Sequence, residues 1–256
     1  MTSSDLRFSG VSTLFQESGL SCLKNTHILI AGIGGVGSWT AEALARSGVG
    51  ELTLVDLDEI CISNVNRQLH ALDGEIGKAK IEVMSERIKK INPECRVNCV
   101  LDFLSADNLD TYIHSKLSGV VDCIDGLDVK CALVLRCKEL DIPLVCVGGA
   151  GGIHDPQNIK VSDLAYTTYD PLLLKMRKFL RSKHRFPGAV ADGRGRGKKF
   201  GVDAVYHAVE VKDHSSGGGG KLDCAGGLGS ASFVTGSFGF FAASQIIKRI
   251  LDNEIH

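Results

Sequence analysis

The 256-residue sequence has no CxxC pair among its nine cysteines, no GxxxxGK[ST] phosphate loop and a formal net charge of only -1. It also lacks an uninterrupted apolar run of the roughly 18 residues that a membrane helix needs. Each absence excludes something. An odd number of cysteines, spread through apolar stretches and never paired as CxxC, argues against a disulfide scaffold and a four-cysteine zinc site, and fits a reducing, cytoplasmic setting. The missing lysine loop closes the P-loop route to a nucleotide. A pI near 6.7 with 23% charged residues does not describe a globally basic nucleic-acid binder, so any such contact must be local. Residues 1–10 carry no apolar signal core. The stretch 233–247 comes nearest to a membrane span, but Thr235, Ser237, Ser244 and Gln245 interrupt it, so it reads as a buried helix.

Against these absences stands one dense stretch. The apolar run His27-Ile28-Leu29-Ile30-Ala31 leads into Gly32-Ile33-Gly34-Gly35-Val36-Gly37, a GxGxxG pattern that opens a helix. Glycines at Gly32, Gly34, Gly35 and Gly37 let the backbone approach an anion, and the helix start directs free N–H groups and the positive dipole end at it. Asp56 lies 24 residues beyond Gly32, where a dinucleotide site places the acid that holds a ribose hydroxyl.

Apolar and helical patterns alternate from there on, which predicts an α/β, Rossmann-like doubly wound, mostly parallel sheet covered on both faces. Strands are expected near 27–32, 51–56, 96–100, 120–124 and 143–147, and helices near 36–47, 78–91, 106–117, 127–140 and 232–251. Residues 1–25 read as an amphipathic lead-in helix able to dock Leu14, Phe15, Leu20 and Leu23. A nucleotide-binding core over 26–165 and a substrate-binding part over 166–256 complete a single intertwined unit.

Up to this point a nicotinamide dehydrogenase fits equally well. The added charges separate the readings. Asp56 and Asp58 put two carboxylates at one strand end, suited to a ribose contact and a magnesium contact. Asn66, Arg67 and Gln68 follow. Arg67 supplies a fork-shaped cation, Lys80 a point charge, and Asp125 a carboxylate at the end of another strand. A hydride-transfer enzyme gains little from so many charges. An enzyme that splits ATP between its α and β phosphates uses them against the charge building on pyrophosphate.

Between Lys175 and Lys199 lie ten lysines or arginines against the single acid Asp192. Gly193-Arg194-Gly195-Arg196-Gly197 cannot pack a core, so this stretch reads as a basic loop following a phosphate backbone, with Lys183, Arg185, Arg194, Arg196, Lys198 and Lys199 as RNA contacts. Cys224 precedes a glycine-rich turn and a helix start, surroundings that lower a thiol pKa and favour attack on an acyl group.

Together, 32–37, Asp56-x-Asp58, Asn66-Arg67-Gln68, Lys80 and Asp125 resemble the adenylating fold shared by ubiquitin-activating enzymes and the bacterial activators of sulfur-carrier proteins. The resemblance implies that Asp56, Arg67, Lys80 and Asp125 contact ATP or its magnesium. It also implies that Arg67 reaches across a homodimer interface and that Arg7 approaches the phosphates. Sulfur-carrier activators usually carry paired CxxC ligands, which this chain lacks. The glycine-rich stretches 148–152 and 223–229 resemble instead the tRNA threonylcarbamoyladenosine dehydratases. That branch implies ATP and Mg2+ without zinc, an ANN-decoding tRNA as substrate, and adenylation of a carboxylate followed by ring closure. Ring closure needs no thioester, so a catalytic role for Cys224 stays open. A monovalent cation and a cysteine desulfurase or sulfur-acceptor partner also stay open, as does activation of a ubiquitin-like sulfur carrier as the alternative function.

Overall fold

The protein is described by a computed structural model covering residues 6–188, 197–211 and 228–254. Its elements run α1 (Ser9–Lys24), β1 (His27–Ala31), α2 (Gly35–Arg46), β2 (Glu51–Val55), α3 (Lys80–Ile91), β3 (Arg96–Val100), α4 (Leu109–Tyr112), β4 (Gly119–Asp122), α5 (Leu127–Glu139), β5 (Leu144–Val147), β6 (Ile159–Asp163), α6 (Pro171–His184), β7 (Asp203–His207) and α7 (Ser232–Glu254). They build one seven-stranded sheet in the order β3-β2-β1-β4-β5-β7-β6, parallel except for the β6–β7 pair. Among the described residues no helix is long and apolar enough to cross a membrane.

Strand alternation divides the core in two. Ile28 and Ile30 of β1 face one way, with Leu52, Leu54, Val121 and Val145, and meet α1, α2, α3 and α7. Leu29 and Ala31 face the other way, with Val55, Val120, Leu144 and Cys146, and meet α4, α5 and α6. Strands buried on both faces lose the polar–apolar alternation of an exposed sheet, and β1 and β4 accordingly read as near-continuous apolar runs. The strand order turns back between β1 and β4, which opens a crevice at their carboxyl ends.

The first five strands and the helices 35–46, 80–91, 127–139 and 232–254 lie within a few residues of expectation. Four differences have physical causes. The helix expected over 106–117 shrinks to the single turn of α4. There the Asp102 carboxylate gathers Phe103 N at 2.7 Å and the Tyr112 hydroxyl at 2.6 Å, and these local bonds compete with helix. In α1, Gln16 breaks the helix at φ 65°, so Leu20 and Leu23 are buried while Leu14 is exposed and does not dock. Strands β6 and β7 extend the sheet where no strand was expected. Helix α6 occupies the first half of the basic stretch. Its start is written as Asp170-Pro171, with the Asp170 carboxylate accepting Leu173 N and proline at a position whose amide is expendable. Leu173, Met176 and Leu180 then bury one side of it.

Candidate active site

The glycine loop sits between β1 and α2, and its tightness is steric. A Cβ on Gly37 would lie 1.8 Å from the Gly32 carbonyl oxygen, and Gly32 itself holds φ +85°. We expect Gly37→Ala to destabilise the fold by about 1–3 kcal/mol, as overpacking does. A lower urea midpoint at unchanged slope is the measurement; an unshifted midpoint would contradict the tight crossing.

Asp56 pins this loop. Its Oδ2 accepts Ile33 N at 2.6 Å and its Oδ1 accepts Asp58 N at 2.9 Å. Each oxygen keeps a lone pair, so the carboxylate fits a ribose diol while it shapes the cradle. His70, which the motif did not single out, supports the same loop from below. Its Nε2 lies 2.7 Å from the Ile33 carbonyl, and burial depresses its pKa more than that carbonyl and the Asp56 charge raise it. The ring is therefore neutral with its proton on Nε2, donated to a group that can only accept.

The 64–68 stretch closes one side of the mouth. The Arg67 carbonyl accepts Trp39 Nε1 at 3.1 Å and Thr235 Oγ1 at 2.9 Å, which ties it to α2 and α7. Arg67 Nη1 donates to Ser63 O at 2.6 Å and to Asn66 Oδ1 at 3.0 Å, and Asn66 Nδ2 donates to Ser230 O at 2.9 Å. Gln68 is buried with its Oε1 unpartnered, and its Nε2 lies 4.0 Å from where a Gly34 Cβ would be. Arg67 Cγ is 3.8 Å from the Cβ position of Gly35 in the same chain. The stem of its side chain thus lies over its own α2 start, while the guanidinium turns back to Ser63 and Asn66.

Lys80 begins α3 and is not a solvated surface lysine. Its side chain is 6% exposed, and its Nζ pairs with Asp58 Oδ2 at 2.6 Å, while Asp58 is 72% exposed. The ammonium thus occupies one oxygen of the Asp58 carboxylate. Asp125 is different. It stands exposed in the turn between β4 and α5, with no partner among the described residues. Beneath it lies a pair that the sequence reading missed: Lys130 and Asp122, both 0% exposed, with Nζ and Oδ2 2.9 Å apart. The 2.9 Å contact with the ammonium is what satisfies the buried Asp122 Oδ2. Lys130 also donates to the Ile124 carbonyl at 2.9 Å, one residue before Asp125. Burial works against its charge, but the Asp122 carboxylate outweighs that and the lysine pKa is raised. With Asp128, Arg136, Lys138 and Glu139 in the same helix, no signal in the sequence set Lys130 apart.

Arg7 is not at this mouth. Its Nη1 donates to the Ile91 carbonyl at 2.9 Å, at the far end of α3. That helix of 12 residues puts roughly 16 Å between Ile91 and Lys80. Arg7 therefore lies at the amino edge of the sheet and does not approach its own cradle.

Cys123, beside the glycine loop, is pushed up to about 12 by burial, and Cys146 is driven well above the ordinary thiol range for the same reason. Neither is a thiolate nucleophile. Cys224, Arg194 and Arg196 lie outside the described residues. Of the remaining basic residues, Lys183 and Arg185 stand exposed at the end of α6, and Lys198 and Lys199 are exposed beyond it. Arg177 is instead buried against Thr167, and Arg181 stacks on Phe200 with its guanidinium 5.2 Å from the ring centre.

The ThiF family model matches residues 9–256. A tRNA threonylcarbamoyladenosine dehydratase of Escherichia coli K12 is 46% identical over 256 residues, covering 96% of this chain and 93% of that protein. Its counterpart from Haemophilus influenzae is 44% identical over 249 residues, with the same coverages of 96% and 93%. The crystal structure of E. coli tRNA N6-threonylcarbamoyladenosine dehydratase in complex with ATP superimposes with a TM-score of 0.86 at 43% identity, over 98% of this chain and 96% of that one.

Proposed function

Because this chain belongs to the ThiF family, we propose that it is an ATP-dependent tRNA threonylcarbamoyladenosine dehydratase. The observation that carries the reading is the pair of cations, Arg67 and Lys80, flanking a glycine cradle that Asp56 holds in shape. A cradle with a ribose-binding acid suits any nucleotide. Two cations at its mouth suit one whose phosphate chain is being broken.

In this reading ATP lies along the crevice between β1 and β4. Asp56 accepts from the ribose hydroxyls, the N–H groups at the α2 start meet the phosphates, and the exposed Leu57, Leu101 and Phe103 offer apolar surface to the adenine. A side-chain carboxylate oxygen of the modified adenosine attacks the α-phosphorus, and the bond to the β-phosphate oxygen breaks. Pyrophosphate leaves with its growing charge met by Arg67 and Lys80. The carbamoyl group then attacks the activated carbonyl and loses a proton. AMP departs with the former carboxylate oxygen, and the net change is loss of one water. With both reacting groups on one substituent, ring closure gains from proximity, an effect worth up to about 7–11 kcal/mol.

Magnesium commonly takes one or two carboxylates together with phosphate oxygens, and unpartnered Asp125 fits that demand. When bound there it would neutralise phosphate charge, with the exposed Asp58, one of whose oxygens pairs with Lys80, as the weaker second candidate. A homodimer is also part of the proposal. Phe233, Phe240 and Phe241 are exposed along α7 next to Trp39, an aromatic face suited to a second copy. Activation of a ubiquitin-like sulfur carrier is the less supported alternative.

Incubating the protein with ATP and tRNA bearing threonylcarbamoyladenosine, then weighing the nucleosides by mass spectrometry, tests the function. The expected product is lighter by one water. Unchanged nucleoside, with pyrophosphate exchange that needs a carrier protein, would replace this reading by its rival.

A further inference from the structure

Tyr169 has no role in the chemistry above, and its setting is unusual. It holds φ 57°, a left-handed conformation that bulky residues rarely adopt, and it is 61% exposed. Its ring stacks on no other ring and its hydroxyl has no hydrogen-bond partner among the described residues. The next residue fixes its position: Asp170 caps α6 through Leu173 N at 2.8 Å and also accepts Gly149 N at 2.8 Å. Gly148 is forced by this contact, since a Cβ there would meet the Asp170 carboxylate at 2.1 Å, whereas a Cβ on Gly149 would meet nothing. An aromatic ring is thus held against solvent at the carboxyl end of β5, beside open space over Gly149. With β4 between β5 and β1, this point lies about 10 Å, or two strand spacings, from the glycine cradle.

Helix α6 leads away from it. Lys175, Lys178 and Ser182 recur at helical spacing on its exposed side, while Leu173, Met176 and Leu180 face the core. The 14-residue helix runs about 20 Å toward the opposite edge of the sheet and ends beside Arg185. Lys198 and Lys199 are close by, because Phe200 packs against Phe186 with ring centres 4.9 Å apart. None of these exposed cations has an acidic partner among the described residues. Arg177 and Arg181, turned inward, are excluded from the track.

We propose that Tyr169 is a stacking platform for an unpaired base of the substrate RNA and that the exposed side of α6 is the track for its backbone. The loop of an anticodon arm then lies at the carboxyl edge of the sheet, and its stem descends along α6. An aromatic platform without hydrogen-bonding neighbours accepts any base, and a row of lysines follows phosphates without reading sequence. This placement rests on tRNA being the substrate.

Binding of a synthetic anticodon arm carrying threonylcarbamoyladenosine, measured against salt concentration with the full chain, provides the test. Tyr169→Ala should weaken binding by about 5- to 150-fold, the range seen for loss of one stacked base. Tyr169→Phe, which keeps the ring, should restore most of it. Lys175→Gln with Lys178→Gln should flatten the salt slope by about 1.4–1.8. The same double change at the exposed Lys89 and Lys90 of α3 is the control and should leave the slope alone. Wild-type affinity in Tyr169→Ala, or equal flattening in the Lys89 and Lys90 control, would overturn the platform and track while leaving tRNA as substrate. Failure of the unaltered protein to bind the arm, together with unchanged nucleoside mass, would overturn the functional reading as well.

Discussion

Lys80→Ala should lower the rate of AMP formation about 10²- to 10³-fold while leaving the protein folded. The rate follows from the position of the ammonium: it is nearly buried, directed to the mouth by its 2.6 Å contact with Asp58, and needs no reorganisation to meet a phosphate. Removal of one such preorganised group costs on that order in other enzymes. The fold survives because the abandoned partner, Asp58, is largely solvated and pays little for standing alone. Arg67→Ala should be at least as severe, about 10³-fold by analogy with arginine groups in phosphoryl transfer. The measurement is pyrophosphate release under saturating ATP, with the thermal midpoint as companion. A Lys80→Ala protein within ~3-fold of the parent rate would remove the lysine from the chemistry.

Lys130→Met should have the largest effect on stability, about 3–5 kcal/mol, because it leaves the Asp122 carboxylate buried and unpaired. Combining it with Asp122→Leu removes both charges and should return much of that loss, as replacement of buried pairs by apolar residues often does. Activity should not return with it. In the double variant nothing replaces the bond from Lys130 to the Ile124 carbonyl, and the turn that carries Asp125 loses its anchor. Urea unfolding and AMP formation, measured on the single and double variants, separate the two roles. Full recovery of activity with stability would reduce Lys130 to a packing residue.

Both predictions bear on what can be read from one chain. The glycine loop, Asp56, Arg67 and Lys80 were legible because each belongs to a short pattern whose chemistry is local. Strands β1, β2, β4 and β5 were legible because burial on both faces leaves mostly apolar runs. Strand β6 escaped because Ile159–Asp163 is half polar at the edge of the sheet, and β7 because its Asp203 is a charged residue made tolerable by Arg249 and Gln245 from a distant helix. In α6 the density of lysines and arginines hid the apolar spacing of Leu173, Met176 and Leu180. Lys130, His70 and Tyr169 could not have been found from motifs, since what distinguishes each is a tertiary setting: a buried partner, a carbonyl 37 residues away, a backbone angle.

Trp39 is the single tryptophan of the sequence, and its indole N–H is spent on the carbonyl of Arg67. The ultraviolet emission of the whole protein is therefore dominated by one chromophore hydrogen-bonded to the backbone of a residue at the phosphate mouth. The molecule carries its own optical reporter of that loop, in place before any label is attached.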